Sequence, residues 1–375
     1  MKISRRSFLK DSAAATAALS VPAGIAQTLL CGDAAAKELA VGPGNKWPGR
    51  VVINFNKNAV TMNGANATAV PSVIREMVNA SIRRLTGETA IGAAWKAVFP
   101  ASLTAASTIS IKVPLGCANS TIAPHWSSVR AITDGLQEME FNGTKFPAAN
   151  ITIYDMRCRN NLTNYGYTSE NFPGVKLVYD SMGSGCTDGA RNRQYAQSLR
   201  NTFLINVFRP GGHGSAYGGF TLGFKNHYGS YEVDHNESTA SGYLRDINGT
   251  GVVFNKNVLS VCIGIFGAQE ASGSPGSASI SYFNYAASID NTITNTNVPP
   301  TTVIMSTDPV TAEMQTIKMM RLNKKPAGGY GVNDMPKYLR ASAGIMGVLP
   351  DASLNFGVID ETKMDIRRII NGVAI

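Results

Sequence analysis

The segment that decides the fold runs from residue 108 to residue 155. It reads TISIKV at residues 108–113, SSVRAITDGLQEM at 127–139 and ITIYD at 151–155. The first and third stretches are short and rich in β-branched residues, which predicts buried strands. The middle stretch has apolar residues spaced three or four apart, which predicts an amphipathic helix. Strand, helix and strand in this order are typical of a parallel α/β sheet.

The same alternation of strand-like and helix-like patterns continues along the chain. The predicted strands span residues 51–55, 108–113, 151–155, 176–179, 202–208, 258–265, 301–305 and 355–359, and the predicted helices span 71–85, 127–139, 188–199, 309–320 and 363–370. Two long stretches, 209–250 and 268–300, are rich in glycine, serine and asparagine, which is typical of functional loops. The predicted fold class is therefore α/β: a mostly parallel sheet with helices on both faces, built as one large domain or as two packed lobes.

The beginning of the chain has the layout of a twin-arginine export signal. Arg5 and Arg6 form a consecutive pair, followed by an alanine-rich, weakly apolar run over residues 12–30. A membrane-spanning helix needs about 20 strongly apolar residues, and this run, interrupted by Pro22 and Gly24, is too weak. We therefore expect no permanent membrane span. We expect export of the folded protein to the periplasm or extracellular space, with the twin-arginine translocation machinery as a partner.

Signal cleavage is expected after Ala26 or Ala36, because small residues precede both positions. The predicted organisation is a signal peptide at residues 1–36, a short linker at 37–50 and a single large α/β domain at 51–375. Residues 37–375, which remain after cleavage at Ala36, are enough to bury a substantial core.

The chain is basic, but its charge is dispersed. It carries 34 Lys and Arg residues against 25 Asp and Glu residues, a net charge of +9, without a concentrated basic run. Nucleic-acid binding is therefore not indicated. An anionic small molecule or an anionic cell-envelope polymer fits this balance of charge.

Cysteine spacing excludes the common metal clusters. The five cysteines include no Cys-x-x-Cys pair, so neither a zinc ribbon nor an iron–sulfur cluster is indicated. Export to an oxidising compartment permits disulfides, and Cys158 and Cys186, both in polar loops, are the preferred pair. For Cys117 the sequence leaves two interpretations open, a free thiol and a thiol that faces a metal. Cys262 lies in an apolar run that predicts a buried core residue.

Ionisable residues stand at or just after the carboxyl ends of several predicted strands. They are Lys112, Asp155, Asp180, His213 and Asp308. Since ligands in open α/β sheets bind outside the carboxyl ends of the strands, these side chains are predicted to meet at one edge of the sheet. The alternative is that they serve only turns and helix caps.

The loop after the fifth predicted strand has the densest polar chemistry. Residues 206–229 contain seven glycines, which let a backbone approach a ligand closely and present N–H groups to an anion. Lys225 could hold an anionic group or act as a nucleophile or base. His213, His227 and His235 could ligate a transition metal, or they could be exposed loop histidines without that role.

This loop and two other segments resemble the uncharacterised domain-of-unknown-function 362 family. The shared pattern is a strand ending in Lys112, then His213 with a Thr221-Leu222-Gly223-Phe224-Lys225-Asn226 element and Gly229, and later Ser306-Thr307-Asp308-Pro309-Val310 opening a helix. The resemblance spans roughly residue 51 to the end of the chain. The chain departs from the family pattern in having Pro210-Gly211-Gly212 where a Lys is usual, and Glu313 where an Asp is common. The ferredoxin-like cysteine cluster that many relatives carry is missing.

Part of the same loop is similar to the His and Ser-Gly-Gly-x-Lys loop of the nickel-pincer lactate racemase family. In that family the His is an acid/base and the Lys joins the cofactor. The resemblance implies that His213 moves a proton and that Lys225 holds a cofactor or a substrate anion.

Two functions follow from these patterns, and both stay open. The first is an exported enzyme or cofactor-binding protein in which His213 and Lys225 are the catalytic candidates, and the cofactor is a transition metal or an organic group. Its substrate or cofactor would be bound by a further set of polar residues, namely Lys112, Asp155, Thr221, Asn226 and Asp308. The second is a non-catalytic envelope protein that binds a partner or assembles with itself through its long loops.

Overall fold

The computed structural model describes residues 45–63, 66–115, 122–157, 162–180, 182–188, 193–213, 217–231, 240–268, 289–290, 292, 299–321, 331–345 and 355–375. Ala40–Ile375 form one compact unit. The predicted export signal, Cys117, Cys158, His235 and the side chain of Cys186 lie outside the described residues, so what was predicted for them stays a prediction. No helix in the described part of the chain combines the length and the apolar content that crossing a bilayer requires.

The described residues form strands and helices in alternation. The strands are β1 (Arg50–Phe55), β2 (Val60–Asn63), β3 (Asn66–Ala69), β4 (Ile109–Lys112), β5 (Glu140–Phe141), β6 (Thr144–Lys145), β7 (Ile151–Asp155), β8 (Lys176–Tyr179), β9 (Met182–Asp188), β10 (Arg193–Ala196), β11 (Phe203–Phe208), β12 (Asn257–Gly264), β13 (Thr302–Ser306), β14 (Asp365–Ile370) and β15 (Val373–Ala374). The helices are α1 (Pro71–Thr86), α2 (Ile91–Ala97), α3 (Trp126–Gln137), α4 (Gly223–Asn226), α5 (Ala240–Asn248), α6 (Pro309–Arg321) and α7 (Lys337–Ser342).

Nine of the strands form one sheet, in the order β15-β14-β1-β13-β12-β11-β4-β7-β8. Strand β14 is parallel to β1, and β12, β11, β4, β7 and β8 are parallel to one another. Strand β13 is antiparallel to both β1 and β12, so those two flanking groups run in the same direction. The predicted fold class, α/β with a mostly parallel sheet, is confirmed.

Helices cover both faces of the sheet. Successive side chains of a strand point to opposite faces, so a single apolar strand contributes to both cores. In β11, Ile205 and Val207 belong to the core that packs against α1, α2 and α3. Leu204 and Phe208 of the same strand belong to the core on the other face, beneath α5, α6 and α7. Cys262 of β12 is a free, buried cysteine, as predicted, and burial raises the pKa of its thiol to about 12.

Most predicted elements are present, with ends that differ by at most two residues from those predicted. They are the strands predicted at 51–55, 108–113, 151–155, 176–179, 202–208, 258–265 and 301–305, and the helices predicted at 71–85, 127–139 and 309–320. Two elements near the end of the chain were predicted wrongly. Asn355 makes only an isolated bridge with Ala343, so residues 355–359 form no strand. Residues 363–370 were predicted as a helix, but they provide strand β14, which pairs with β1 over six residues.

The predicted helix at residues 188–199 is also wrong. Strands β9 and β10 form an antiparallel pair here, followed by a 3-10 turn at Gln197–Arg200. The backbone N–H of Ala196 donates to the carbonyl oxygen of Ser230, and Tyr195 bridges to Tyr231. Pairing with this distant segment satisfies backbone groups that a helix would have satisfied locally, so tertiary contact overrides the local pattern.

Candidate functional site

The connections of β4 and β11 leave these adjacent strands in opposite directions. From β4 the chain passes through α3 to β7, and from β11 it passes through α4 and α5 to β12 on the other side. The two connections cover opposite faces of the sheet. A switch point of this kind opens a crevice outside the carboxyl ends of the two strands, where α/β proteins bind ligands. Strands β4, β7, β11 and β12 all end on one side of the sheet, which we call the carboxyl edge.

A buried ion pair lies at the carboxyl edge. The Nζ atom of Lys112, which ends β4, is 3.2 Å from Oδ1 of Asp155, which ends β7, and both residues are 1% exposed. The same Nζ donates to the carbonyl oxygen of Val113 at 2.8 Å and to Oδ1 of Asn226 at 2.9 Å. Oδ2 of Asp155 accepts the backbone N–H of Leu115 at 2.7 Å. The pair therefore joins two strands and α4 by hydrogen bonds that stay within the protein.

Gly229 lies directly against this pair. A Cβ atom at that position would stand 2.5 Å from Oδ1 of Asp155 and 2.7 Å from Nζ of Lys112. The carbonyl oxygen of Gly229 accepts the backbone N–H of Met156, the residue after β7, at 3.1 Å. Only glycine allows the backbone to approach the two charged groups so closely.

Two asparagines fix the short helix α4 to strand β11. Nδ2 of Asn226 donates to Oδ1 of Asn206 at 2.7 Å and to the carbonyl oxygen of Val207 at 2.8 Å. Nδ2 of Asn206 in turn donates to the carbonyl oxygen of Gly223 at 3.0 Å. Both asparagines are nearly fully buried, so each amide dipole is matched inside the protein. This network sets the position of Lys225, which precedes Asn226 in the chain.

The ammonium group of Lys225 lies against two tyrosine rings that also contact each other edge to face. Its Nζ lies 4.5 Å from the ring centroid of Tyr217 and 4.6 Å from that of Tyr228. The ring of His213 meets Tyr217 edge-on, with 4.5 Å between centroids. Aromatic faces attract a cation, so the two tyrosines hold the positive charge in place. His213 and Lys225, the two catalytic candidates, thus contact the same aromatic ring.

A second cation approaches Tyr228. Nε of Arg157, which follows β7, donates to the carbonyl oxygen of Tyr228 at 3.3 Å. Thr221 supports the loop from the other end, because its backbone N–H donates to the carbonyl oxygen of Gly211 at 2.9 Å. Arg157 thus contacts the backbone of Tyr228, and Lys225 contacts its ring.

His227 lies deeper than its neighbour Lys225. It is fully buried, its Nδ1 is 3.1 Å from the Oγ atom of Ser230, and that Oγ is 2.9 Å from the hydroxyl of Tyr154. Burial, with a smaller effect of Lys112, lowers the pKa of His227 to about 3, so its imidazole is neutral. The nearby ammonium group opposes a metal cation at this ring. Among the described residues no three His, Cys, Asp or Glu side chains are grouped to hold a metal.

Asp308 lies at the opposite side of the sheet from the other candidates. Because β13 is antiparallel to its neighbours, its carboxyl end meets the start of β1. The carboxylate accepts the backbone N–H groups of Gly49, Thr311 and Val358, each at 2.9 Å. It caps α6 and ties two loops to it. The expected convergence of all five strand-end residues therefore fails for Asp308.

Asp180 also has a structural partner. Its Oδ2 accepts the backbone N–H of Ser198 at 2.7 Å, which fixes the 3-10 turn after β10. The residues brought together are Lys112, Asp155 and Asn226 in one hydrogen-bonded group, and His213 and Lys225 around Tyr217 in the adjoining one.

Sequence reasoning missed several residues at this edge. His125 caps α3, its Nδ1 is 2.7 Å from Oγ of Ser127, and its ring is 6.3 Å from that of Phe266 after β12. Burial lowers the pKa of His125 to about 4. It follows β4 as His213 follows β11, so the same rule of strand ends would have found it. Asn206 could have been found as a polar residue within the apolar run FLINVF.

A cavity of about 720 Å³ lies away from the carboxyl edge, among α1, α2 and α3. Arg75 in its lining pairs with Asp134 at 2.9 Å, and Lys96 donates to the carbonyl oxygen of Glu140 at 2.8 Å. Both cations therefore already have partners within the protein. Size alone does not make a site, and the carboxyl edge carries the more specific chemistry.

Comparison with known proteins adds no family to this description. A scan against protein-family models finds no match, and searches of curated proteins and of solved structures find no significant match. The fold and the arrangement of side chains at the switch point are therefore the basis for assigning a function.

Proposed function

We propose that this protein binds an anionic small molecule at the carboxyl edge of its sheet, beside Lys225. The observation that carries the proposal is the ammonium group of Lys225, held 4.5 Å and 4.6 Å from two tyrosine rings next to the switch point of β4 and β11. A cation fixed by aromatic rings is preorganised for an anion, because little side-chain entropy is lost when the anion binds.

The surrounding charge supports the same ligand class. Arg157 and Lys225 both contact Tyr228, Arg157 at its carbonyl oxygen and Lys225 at its ring. Their combined field favours carboxylate or phosphate groups over cations. It also speaks against a transition metal held by His227, which is next to Lys112.

His213 is the candidate acid/base for a ligand held in this way. Its ring contacts Tyr217, one of the two tyrosines that hold Lys225. An imidazole is the side chain best suited to exchange a proton near neutral pH. If the protein is an enzyme, His213 transfers a proton to or from the bound anion and Lys225 balances the negative charge. This arrangement agrees with the loop resemblance to the domain-of-unknown-function 362 and lactate racemase families.

Calorimetric titration with inorganic phosphate and with citrate tests the proposal. Replacing Lys225 by methionine keeps the chain length and removes the charge, so we expect the affinity for the anion that binds to fall by roughly tenfold or more. Lys256→Met is the matched control, because Lys256 immediately precedes β12, at the other end of the strand from the carboxyl edge, and its Nζ donates to the carbonyl oxygen of Leu199. Equal binding by the wild type and the Lys225→Met variant would overturn the proposal, as would the absence of binding by the wild type.

We propose further that the protein is exported as a folded chain by the twin-arginine route. The support is the sequence pattern at Arg5 and Arg6. Replacing both by lysine keeps the charge but removes the recognised pair. We expect the variant to stay in the cytoplasm on cell fractionation, and N-terminal sequencing of the exported wild type to decide between cleavage after Ala26 and after Ala36. Export of the variant at the wild-type level would contradict this route.

One observation favours the alternative, a self-assembling envelope protein. Tyr179 on the edge strand β8 is 57% exposed, and Val373 on the opposite edge strand β15 is 63% exposed. Exposed sheet edges can pair between copies, and unlike edges would build an open chain of molecules. Sedimentation of the wild type against Tyr179→Lys tests this function. Concentration-dependent polymers that the substitution dissolves would support it, and a wild-type monomer would exclude it.

A further inference from the structure

The short helix α4, which carries Lys225, begins without a capping side chain of its own. Its N-cap residue is Leu222, which offers no side-chain acceptor. The acceptor comes from a distant helix: Oε2 of Glu313, in α6, takes the backbone N–H of Phe224 at 2.7 Å. The backbone N–H of Gly223 also bonds to this carboxylate. Glu313 therefore does for α4 what an N-cap residue ordinarily does for its own helix.

The same carboxylate is bound from a third direction. Oε1 of Glu313 accepts the hydroxyl hydrogen of Tyr338, in α7. Gly223 permits the close contact, because a Cβ atom there would stand 3.2 Å from Oε2 of Glu313 and 3.1 Å from Cδ1 of Phe208. Glu313 is 1% exposed. One buried carboxylate thus connects α6, α7 and the first turn of α4.

Glu313 is the group in this cluster that changes charge near neutral pH. Burial raises its pKa to about 7. Tyr338 and Cys262, which interact with it, have pKa values raised by burial and stay neutral. Arg209, which acts on Cys262, and Arg321, which acts on Tyr338, stay charged throughout this range.

We propose that Glu313 is a positioning residue for the Lys225 site, and that its ionisation decides how firmly α4 holds Lys225 against the two tyrosines. The ionised carboxylate accepts the N–H groups of Gly223 and Phe224 in charge-assisted bonds. Protonation removes that charge and turns one oxygen into a donor, which weakens the cap. What Lys225 binds rests on the proposed function above, whereas the tightening of α4 does not.

Hydrogen–deuterium exchange of the full-length protein tests this proposal without any ligand. Exchange in a peptide covering residues 222–231 is measured between about pH 5.5 and pH 8.5 and corrected for the intrinsic pH dependence of exchange. In the wild type we expect protection to rise roughly tenfold with pH as Glu313 ionises, the size of a charge-assisted bond. In Glu313→Gln the protection is low at every pH. Glu361→Gln, which changes a partly exposed carboxylate paired with Lys318, keeps the wild-type profile.

Tyr338→Phe is a second variant that tests the role of Glu313, including the case in which Glu313→Gln folds poorly. Tyr338→Phe removes one hydrogen bond that lowers the pKa of Glu313, so the midpoint of protection moves to higher pH. A flat wild-type profile, or a wild-type profile retained in Glu313→Gln, would overturn the proposal. An unchanged midpoint in Tyr338→Phe would also overturn it.

Phosphate titration of the same variants separates the two proposals. If exchange behaves as expected but phosphate and citrate do not bind the wild type, the proposed function fails and the pH-dependent cap stands. If an anion binds through Lys225 with the same pH dependence in the wild type and Glu313→Gln, the proposed function stands and the control by Glu313 fails.

Discussion

Lys112, the last residue of β4, donates hydrogen bonds to groups from three parts of the fold. Its Nζ reaches Val113 after the same strand, Asp155 at the end of β7, and Asn226 in α4. A buried ammonium group is costly unless it is matched in this way. Lys112 and Asp155 therefore support the segment that carries Lys225.

Gly229→Ala tests how tightly the ion pair is packed. The added Cβ would stand within 2.7 Å of both Asp155 Oδ1 and Lys112 Nζ, so we expect a loss of stability. Overpacking of this kind costs about 1–3 kcal/mol, measured by urea unfolding. Gly251→Ala is the control, because its nearest neighbour would be 3.4 Å from the new atom. Equal stability of the two variants would contradict the packing described for Gly229.

The identity of the site residues was partly predictable from the sequence. The rule that strand ends carry function selected Lys112, Asp155 and His213, and the glycine-rich loop selected Lys225. The two tyrosines that hold Lys225 carried no signal, because Tyr217 and Tyr228 look like ordinary aromatic residues until the loop folds back. Glu313 was noted only through a family resemblance, and its bond to α4 spans 89 positions in the chain.

Two hairpins that were not predicted from the sequence, β14–β15 and β5–β6, are set by their turn residues. Asn371 and Gly372 have φ angles of 50° and 87°, as a type I′ hairpin turn requires between β14 and β15. Asn142 and Gly143 do the same between β5 and β6. An Asn-Gly step after an isoleucine-rich stretch was therefore the available signal that residues 365–370 form a strand.

Ile369→Ala tests strand β14 as part of the core. Ile369 is 4% exposed and packs with the residues beneath α1, α2 and α3. We expect a loss of about 2–5 kcal/mol in the free energy of unfolding, because a buried isoleucine leaves a cavity. Val373→Ala, on the exposed edge strand β15, should change stability by no more than about 0.5 kcal/mol. A small effect at Ile369 would contradict its place in the sheet.

The apolar pattern of β13 predicts a strand but does not show whether that strand runs parallel or antiparallel to its neighbours. A parallel strand needs a crossover, usually a helix, whereas an antiparallel strand returns without one. Residues 268–300, before β13, have no helical period in their sequence. That absence was a usable sign that β13 is antiparallel and that Asp308 is removed from the carboxyl edge. The mostly parallel sheet itself was predictable, because its strands are separated by helical periods.

Buried His227 gives the stability of the molecule a defined response to acid. Its pKa is about 3 in the folded protein against 6.5 unfolded, so the unfolded chain binds the extra proton between these values. Stability is therefore lost as the pH falls below 6.5. For global unfolding Glu313 has the opposite effect, since its raised pKa means that the folded state loses stability as the pH rises from 4.5 to about 7. Local opening of α4 is a different equilibrium, in which the carboxylate stays between α6 and α7 and only its bonds to Gly223 and Phe224 break.

His227→Asn isolates the histidine contribution. Asparagine keeps a polar group near Ser230 but does not titrate, so the variant should lose less stability than the wild type between about pH 7 and pH 5. Urea unfolding at the two pH values measures this difference. If the gap between wild type and variant is the same at both, the imidazole is not held neutral by burial.

An anomalous-scattering map from crystals soaked in selenate, a divalent oxyanion with a strong X-ray signal, shows whether an anion binds beside Lys225. We expect a selenium peak at the carboxyl edge, with an oxygen within hydrogen-bonding distance of Nζ of Lys225, and loss of that peak in Lys225→Met crystals. Selenium peaks confined to other surfaces, or an unchanged peak in the variant, would contradict it.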